Sequence, residues 1–401
     1  MSSTLTRGKL GVAVVGVGGA VATTAVAGIE MIRRGANSFD GLPLGGHDVP
    51  GLTDYRDLVF AGWDMNPDHL AHAARNHEVL DTAQIADVDE ALSAIKPWPA
   101  VVNSDFCKNI TGSNVKPVAG HRAAIAAIAA DLTRFRDSGV ENVVMINLAS
   151  TEAGHPDTAP LESAAAFERA LDENHPAIGP GMLYAYAAIQ ENVAYGNFTP
   201  SHGADVPALV ELATKRNVPV AGRDGKTGQT MMKTVIAPAL RSRALHVDGC
   251  FSTNILGNRD GLALDNPDSL ASKLATKKSV LDSILGYKVE DHIIDIRYYR
   301  PRGDDKDAWD NIDVSGFLGR KMQIKINFLC KDSILAAPLV IEIARVLDLA
   351  QKRGEGGVQE QLGVFFKAPM SAAGRPADHE PEHALDRQQQ HLLEWLSDRP
   401  E

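Results

Sequence analysis

Apolar residues in the first half of the chain fall in short runs set between longer mixed stretches. Leu10–Val15 alternates little, as a strand covered on both faces does. Val21–Arg33 predicts the helix that follows, stopped at Arg33-Arg34-Gly35 by cations and then a glycine. Leu58–Trp63 predicts the next strand, ending at Asp64, and a helix over Asp68–His77 follows Pro67. Further strands are predicted at Pro99–Val102 and Asn142–Leu148, and helices at Arg122–Ser138, Leu161–Asn174 and Met182–Asn192. Strands alternating with helices imply a doubly wound parallel sheet, hence an α/β fold.

The pattern changes after Thr230. Met231–Arg243 is helical, but Leu245–Thr253, His292–Tyr299 and Lys321–Cys330 alternate, with polar outer positions. An antiparallel sheet with helices on one face is expected there. Ser333–Lys352 predicts a long apolar helix, Val358–Phe366 leads into Lys367-Ala368-Pro369, and the polar, acidic tail holds a helix at Ala384–Leu396. Residues 35–54 form a Gly/Pro/Asp-rich loop. No internal repeat is visible.

The segment from Leu10 to Ile29 carries no charge and follows Lys9, so its length suits a membrane helix or a signal peptide. Its five glycines and the Thr23-Thr24 pair favour strand, tight turn and helix instead. No membrane partner is expected. At 401 residues, two domains are expected. A net charge of −11 argues against a nucleic-acid groove. A phosphorylated ligand would then need a local positive pocket, and the lysine-rich stretch 273–278 is the candidate. Cys107, Cys250 and Cys330 are odd in number and far apart, which fits a reducing cytoplasm rather than a disulfide framework.

Gly16-Val17-Gly18-Gly19-Ala20-Val21-Ala22 lies between a predicted strand and helix, the setting of a dinucleotide-binding turn. Glycines allow close backbone approach to a pyrophosphate, and the helix start supplies free N–H groups. Asp64 would accept from the adenosine ribose hydroxyls and repel a 2′-phosphate, favouring NAD over NADP. It lies far along the chain, so 35–54 must be an insertion. Arg223–Thr230 is not a Walker loop, because Val220 stands where glycine is required. It is either a phosphate site at a helix start or an ordinary capped helix. Lys273 and Lys277 are one turn apart. They form either a solvated basic face or an enclosed pair in which one lysine acts as base and the other holds phosphate. His69, His72, His77, His379 and His383 match no zinc pattern and are expected on the solvated surface.

Taken in order, these motifs resemble those of the myo-inositol-phosphate synthase family over residues 8–370. The resemblance rests on the glycine turn, Gly62-Trp63-Asp64, Ser150-Thr151-Glu152, Asp224–Thr230 and Leu256–Gly261. The Ser272-Lys273 helix, Gly303–Lys306, Asp332–Pro338 and Lys367–Pro369 complete the set. It implies a Rossmann-type NAD-binding domain from 1–230 and 333–401, interrupted by an α+β catalytic and oligomerisation domain at 231–332. It also implies a homotetramer.

The reaction implied is conversion of glucose 6-phosphate to myo-inositol phosphate, through C5 oxidation, proton loss at C6, aldol closure onto C1 and re-reduction, with NAD returned unchanged. By resemblance Lys273 exchanges the proton at C5, while Lys306 and Lys367 stabilise oxyanions at C5 and C1. Lys277, Thr227, Gly228, Gln229 and Thr230 bind phosphate. Asp224, Asp260 and Asp332 position the nicotinamide and the lysines, and Asn254 and Asn258 line the pocket. Gly16, Val17, Gly18, Gly19, Ala20, Asp64, Ala149, Ser150 and Thr151 hold the cofactor. Ile255 and Arg259 depart from the family pattern and bear on which sugar phosphate is used. Alternatives are a cyclase for another sugar phosphate, a plain dehydrogenase, and an NAD-binding regulator without turnover.

Overall fold

The computed structural model describes residues 8–108, 110–257, 280–375 and 379–398. β1 (Leu10–Val15) is buried at every position and lies between two parallel neighbours, β2 (Leu58–Asp64) and β4 (Asn142–Asn147). β3 (Trp98–Pro99) extends one side. β5 (Ala194–Asn197), β6 (Pro219–Gly222) and β11 (Gly357–Val358) extend the other. The order β11-β6-β5-β4-β1-β2-β3 reverses direction between β1 and β4, and such a switch point opens a crevice at the carboxyl ends of the strands.

One sheet face is covered by α1 (Ala20–Arg33) and α9 (Asp332–Lys352), packed on Val12, Val14, Val144 and Ile146. The other carries α4 (His121–Arg136), α5 (Ala164–Asp172), α6 (Pro180–Gln190) and α7 (Pro207–Arg216), packed on Ala13, Val15 and Val143. α2 (Leu70–His77) and α3 (Thr82–Ala94) follow β2. The stretch from Leu10 to Ile29 resolves into strand, turn and helix. No helix among the described residues is long and apolar enough to cross a membrane.

The insertion 35–54 is not a loose surface loop. The buried Glu342 carboxylate accepts from the Leu44 N–H and the Tyr55 hydroxyl, and Asp348 accepts from Thr53 Oγ1 at 2.6 Å. Arg345 donates to the Thr53 carbonyl oxygen and to Glu342. Every polar group of this buried cluster therefore has a counterpart from the other end of the chain.

A second sheet has the order β10-β9-β7-β8, from β7 (His246–Leu256), β8 (Asp291–Tyr298), β9 (Asp305–Ser315) and β10 (Lys321–Lys331). It is mixed, not antiparallel as expected: β7 and β8 run parallel, a pairing that no tight hairpin can make. α8 (Gln229–Ser242) and the helical stretch 280–285 cover one face through Ala237, Leu240, Val280 and Ile284.

Several elements differ from the sequence reading. β3 ends at Pro99 instead of reaching Val102, since the Val101 N–H is taken by the Tyr184 hydroxyl. The helix expected from Leu161 starts only at Ala164, after a 3₁₀ turn and a Ser163 cap. That expected from Asp68 starts at Leu70, capped by His69. α3, β5, α7, β6 and β9 carried no clear signal.

Candidate active site

Gly16 sits at φ +86, and a Cβ there would stand 3.0 Å from the Leu148 carbonyl oxygen. Only glycine takes this backbone at no steric cost. The N–H groups of Gly16 and Val17 both donate to the Trp63 carbonyl oxygen, fastening the turn to the end of β2. Gly18 N–H donates to Asp64 Oδ2 at 2.9 Å, and Asp64 Oδ1 accepts from Asn66 N–H. Gly19 caps α1 without a side-chain partner, so the first amides of that helix, at Ala20 and Val21, look into the cavity. This cradle fits a dinucleotide pyrophosphate at a helix start, with a carboxylate beside it for the ribose. Ala149, Ser150 and Thr151, after β4, form the facing rim.

The cavity has a volume of about 430 Å³ and runs from this turn to the second sheet. Its far wall is built by the turn 223–228. Asp224 adopts a left-handed backbone at φ 59, which Asp tolerates better than most side chains. Segment 365–368 straps the turn in place. Lys226 N–H donates to Phe365 O, Arg223 N–H to Ala368 O, and Lys367 N–H to Asp224 O. Lys367 Nζ also lies 2.7 Å from Asp224 Oδ1, both side chains being buried. Next to it, Lys306 of β9 and Thr227 Oγ1 both donate to Asp332 Oδ1, at 3.2 and 2.9 Å. Ser333 fixes Asp304 through its N–H and hydroxyl, which holds the start of α9 against the Gly303 turn. Two lysine–carboxylate pairs thus share a wall with the end of the dinucleotide cradle.

Not every expected residue faces the cavity. Gln229, Thr230 and Asn254 are buried behind the wall: Asn254 Nδ2 donates to Gln229 Oε1 at 2.6 Å, and Gln229 Nε2 to the Thr253 carbonyl oxygen. Gly228 caps α8. Ile255 alternates with Asn254 on β7, so it points to the opposite sheet face, away from the described pocket. Asn258, Arg259, Asp260, Lys273 and Lys277 lie outside the described residues.

Sequence reasoning named Glu152 within a motif but gave it no role, and it missed Lys233. Glu152 is buried in the cavity wall, accepts from Gly181 N–H at 2.9 Å, and is pushed up to about 8 by burial. Lys233 is enclosed by Ser252 Oγ at 2.7 Å and Asp310 at 3.6 Å. Its i, i+4 relation to Gln229 was the available signal. Two histidines leave the solvated surface expected for them. His77 lines the cavity, its Nε2 2.7 Å from the Gly18 carbonyl oxygen, and His383, just before the C-terminal helix, is buried.

A family profile described as "Myo-inositol-1-phosphate synthase" matches residues 46–397. The chain is 42% identical to inositol-3-phosphate synthase 1 of Bacteroides thetaiotaomicron, across 94% of this chain and 92% of that one. In structure it is similar to inositol-3-phosphate synthase of Caenorhabditis elegans, with a TM-score of 0.90, 26% identity, and coverage of 98% and 86%. A myo-inositol-1-phosphate synthase-related protein of Thermotoga maritima gives 0.82 at 25% identity, covering 98% of this chain and all of that one. With the glycine cradle and the paired lysines in place, these likenesses agree: the chain belongs to the myo-inositol-1-phosphate synthase family.

Proposed function

We propose that the chain is an NAD-dependent isomerase that converts D-glucose 6-phosphate to 1D-myo-inositol 3-phosphate. The observation that carries this reading is the meeting of Lys367–Asp224 and Lys306–Asp332 on one cavity wall, at the end of the glycine cradle. NAD supplies a reversible hydride acceptor there and is not consumed.

The chain's own residues do the rest. Lys306 faces the C5 oxygen and Lys367 the C1 oxygen, where negative charge develops as the ring closes. Ammonium groups fixed beforehand by carboxylates need little reorganisation at that moment. Lys273 takes the hydroxyl proton at C5 and gives it back. Thr227, the amides that open α8 after Gly228, and Lys277 hold the phosphate. Gln229, Thr230 and Asn254 brace that helix start from behind, while Asp260 and Asn258 complete the pocket. Asp64 selects NAD. Substrate and product are isomers, so each proton removed is returned and no reductant is left over.

Residues 1–230 and 333–401 act as the cofactor domain and 231–332 as the catalytic and assembly domain, in a cytoplasmic homotetramer. Support for assembly comes from the outer face of the second sheet, where Phe251 and Trp309 stack at 5.8 Å and Ile293 is half exposed. Light scattering after gel filtration checks the subunit number.

Purified protein with glucose 6-phosphate and catalytic NAD⁺, followed by phosphorus NMR, tests the reaction. An inositol monophosphate without net NADH is expected. Stoichiometric growth of absorbance at 340 nm with an oxidised sugar as the final product overturns the reading.

A further inference from the structure

Lys226 belongs to the 223–228 turn but does not line the pocket, unlike Asp224, Gly225 and Thr227. Its side chain turns inward and is 4% exposed. Among the described residues its ammonium has one hydrogen-bond acceptor, Oε1 of Gln388 in α10 (Leu385–Ser397), and no carboxylate pairs with it. Gln388 is itself buried, and its Nε2 donates to the Glu382 carbonyl oxygen at 2.6 Å. The C-terminal segment thus reaches under the turn and grips it through one amide side chain. The same turn presents Asp224, which holds Lys367, and Thr227, which shares Asp332 with Lys306. A buried amine with a single neutral acceptor is a costly arrangement. Burial lowers its pKa to about 7. A solvated lysine, or an apolar residue, would suit a merely structural turn better.

We propose that Lys226 and Gln388 form a strut through which the C-terminal helix sets the position of the substrate turn, making Lys226 a positioning residue for both lysine–aspartate pairs. This rests on the reading that the turn serves a sugar-phosphate site. Small displacements of preset groups are expensive in rate. The strut therefore acts on turnover more than on cofactor binding, because the glycine cradle lies at the other end of the cavity.

The test uses the full chain with Lys226→Met, Gln388→Leu, the double variant and Gln388→Glu, which keeps an acceptor for the amine. Turnover of glucose 6-phosphate at saturation is measured beside NAD affinity by calorimetry. Each disrupting single variant is expected to lose about tenfold or more in kcat, with NAD affinity within twofold of the parent. The double variant should be no worse than the worse single, and Gln388→Glu should stay within a few-fold of the parent. Single variants within twofold of parental kcat overturn the strut, as do losses that multiply in the double variant. If Lys226→Met fails to fold, the two Gln388 variants decide by the same readings. An inactive parent would count against the proposed reaction alone. Hydrogen exchange of the 224–228 amides then decides the strut: faster exchange in Gln388→Leu supports it, and parental exchange overturns it.

Discussion

Lys367 and Asp224 are joined twice: Nζ lies 2.7 Å from Oδ1, and the lysine N–H donates to the aspartate carbonyl oxygen. The ammonium group is thereby fixed to the backbone of the turn it serves. Lys367→Ala is expected to lower kcat by about 10²–10³-fold, the worth of one preset donor at a developing oxyanion, with NAD affinity kept. Asp224→Ala leaves the buried lysine short of its counter-charge and should destabilise the fold by about 3–5 kcal/mol in denaturant unfolding. Parental turnover in Lys367→Ala would remove it from the chemistry.

Asp64 holds the Gly18 amide and borders the cradle, where a carboxylate is expected to favour NAD over NADP. NAD should bind more tightly than NADP. Asp64→Ala is expected to weaken NAD by about 1–3 kcal/mol in calorimetry, the scale of a hydrogen bond to a charged group. Equal affinity of the parent for the two cofactors contradicts this.

Glu152 gives stability a particular pH dependence. Its carboxyl is pushed up to about 8 by burial from an ordinary value of 4.5, with the Gly181 N–H opposing the shift. Between those values the folded protein keeps a proton that the unfolded chain releases. The group's contribution is full below about 4.5 and is lost as pH rises through about 8. Glu152→Gln cannot ionise. Its melting temperature relative to the parent should therefore rise between pH 5 and pH 9, and a constant difference across that range would exclude the buried acid.

Lys273 and Lys277 are expected to separate rate from binding. Lys273→Ala should lose about 10²–10⁴ in rate while still binding a hexitol phosphate, because a placed proton carrier is missing. Lys277→Ala should weaken that ligand, and Lys277→Arg should restore part of the binding, since the charge returns. If both alanine variants bind and turn over like the parent, the pair is a solvated basic face.

Elements with strong apolar periodicity were legible in the sequence, and β9, which carries Lys306, was not. β1 reads clearly because burial on both faces leaves an unbroken apolar run, and α9 because its long apolar stretches outweigh the buried Glu342, Arg345 and Asp348. β9 was hidden because its inward positions run Lys306, Ala308, Asp310, Ile312, Val314. Two of the five carry charge where a strand pattern calls for hydrophobes, and both belong to buried ion pairs near the site. Ion pairing in place of apolar packing broke the local pattern there. The glycine turn was readable from its setting between strand and helix, and the motif around Asp224 only through the family resemblance. The inward turn of Lys226 and the parallel pairing of β7 with β8 depend on contacts distant in sequence, which no local pattern records.

The grip of Glu342, Arg345 and Asp348 on the 35–54 insertion bears on how the protein is made. During synthesis the first βα unit leaves the ribosome long before α9 exists. Until residues 332–352 emerge, α1 alone covers this sheet face, so Val12, Val14 and Ile146 lack part of their cover and Leu44 lacks its anchor. The nascent parallel sheet therefore waits, with one greasy side partly open, for a helix encoded some three hundred residues later. Closure over such a sequence distance is slow and leaves sticky surface in view. Fragments truncated before α9 are therefore expected to be insoluble, because they end before the helix that completes this core.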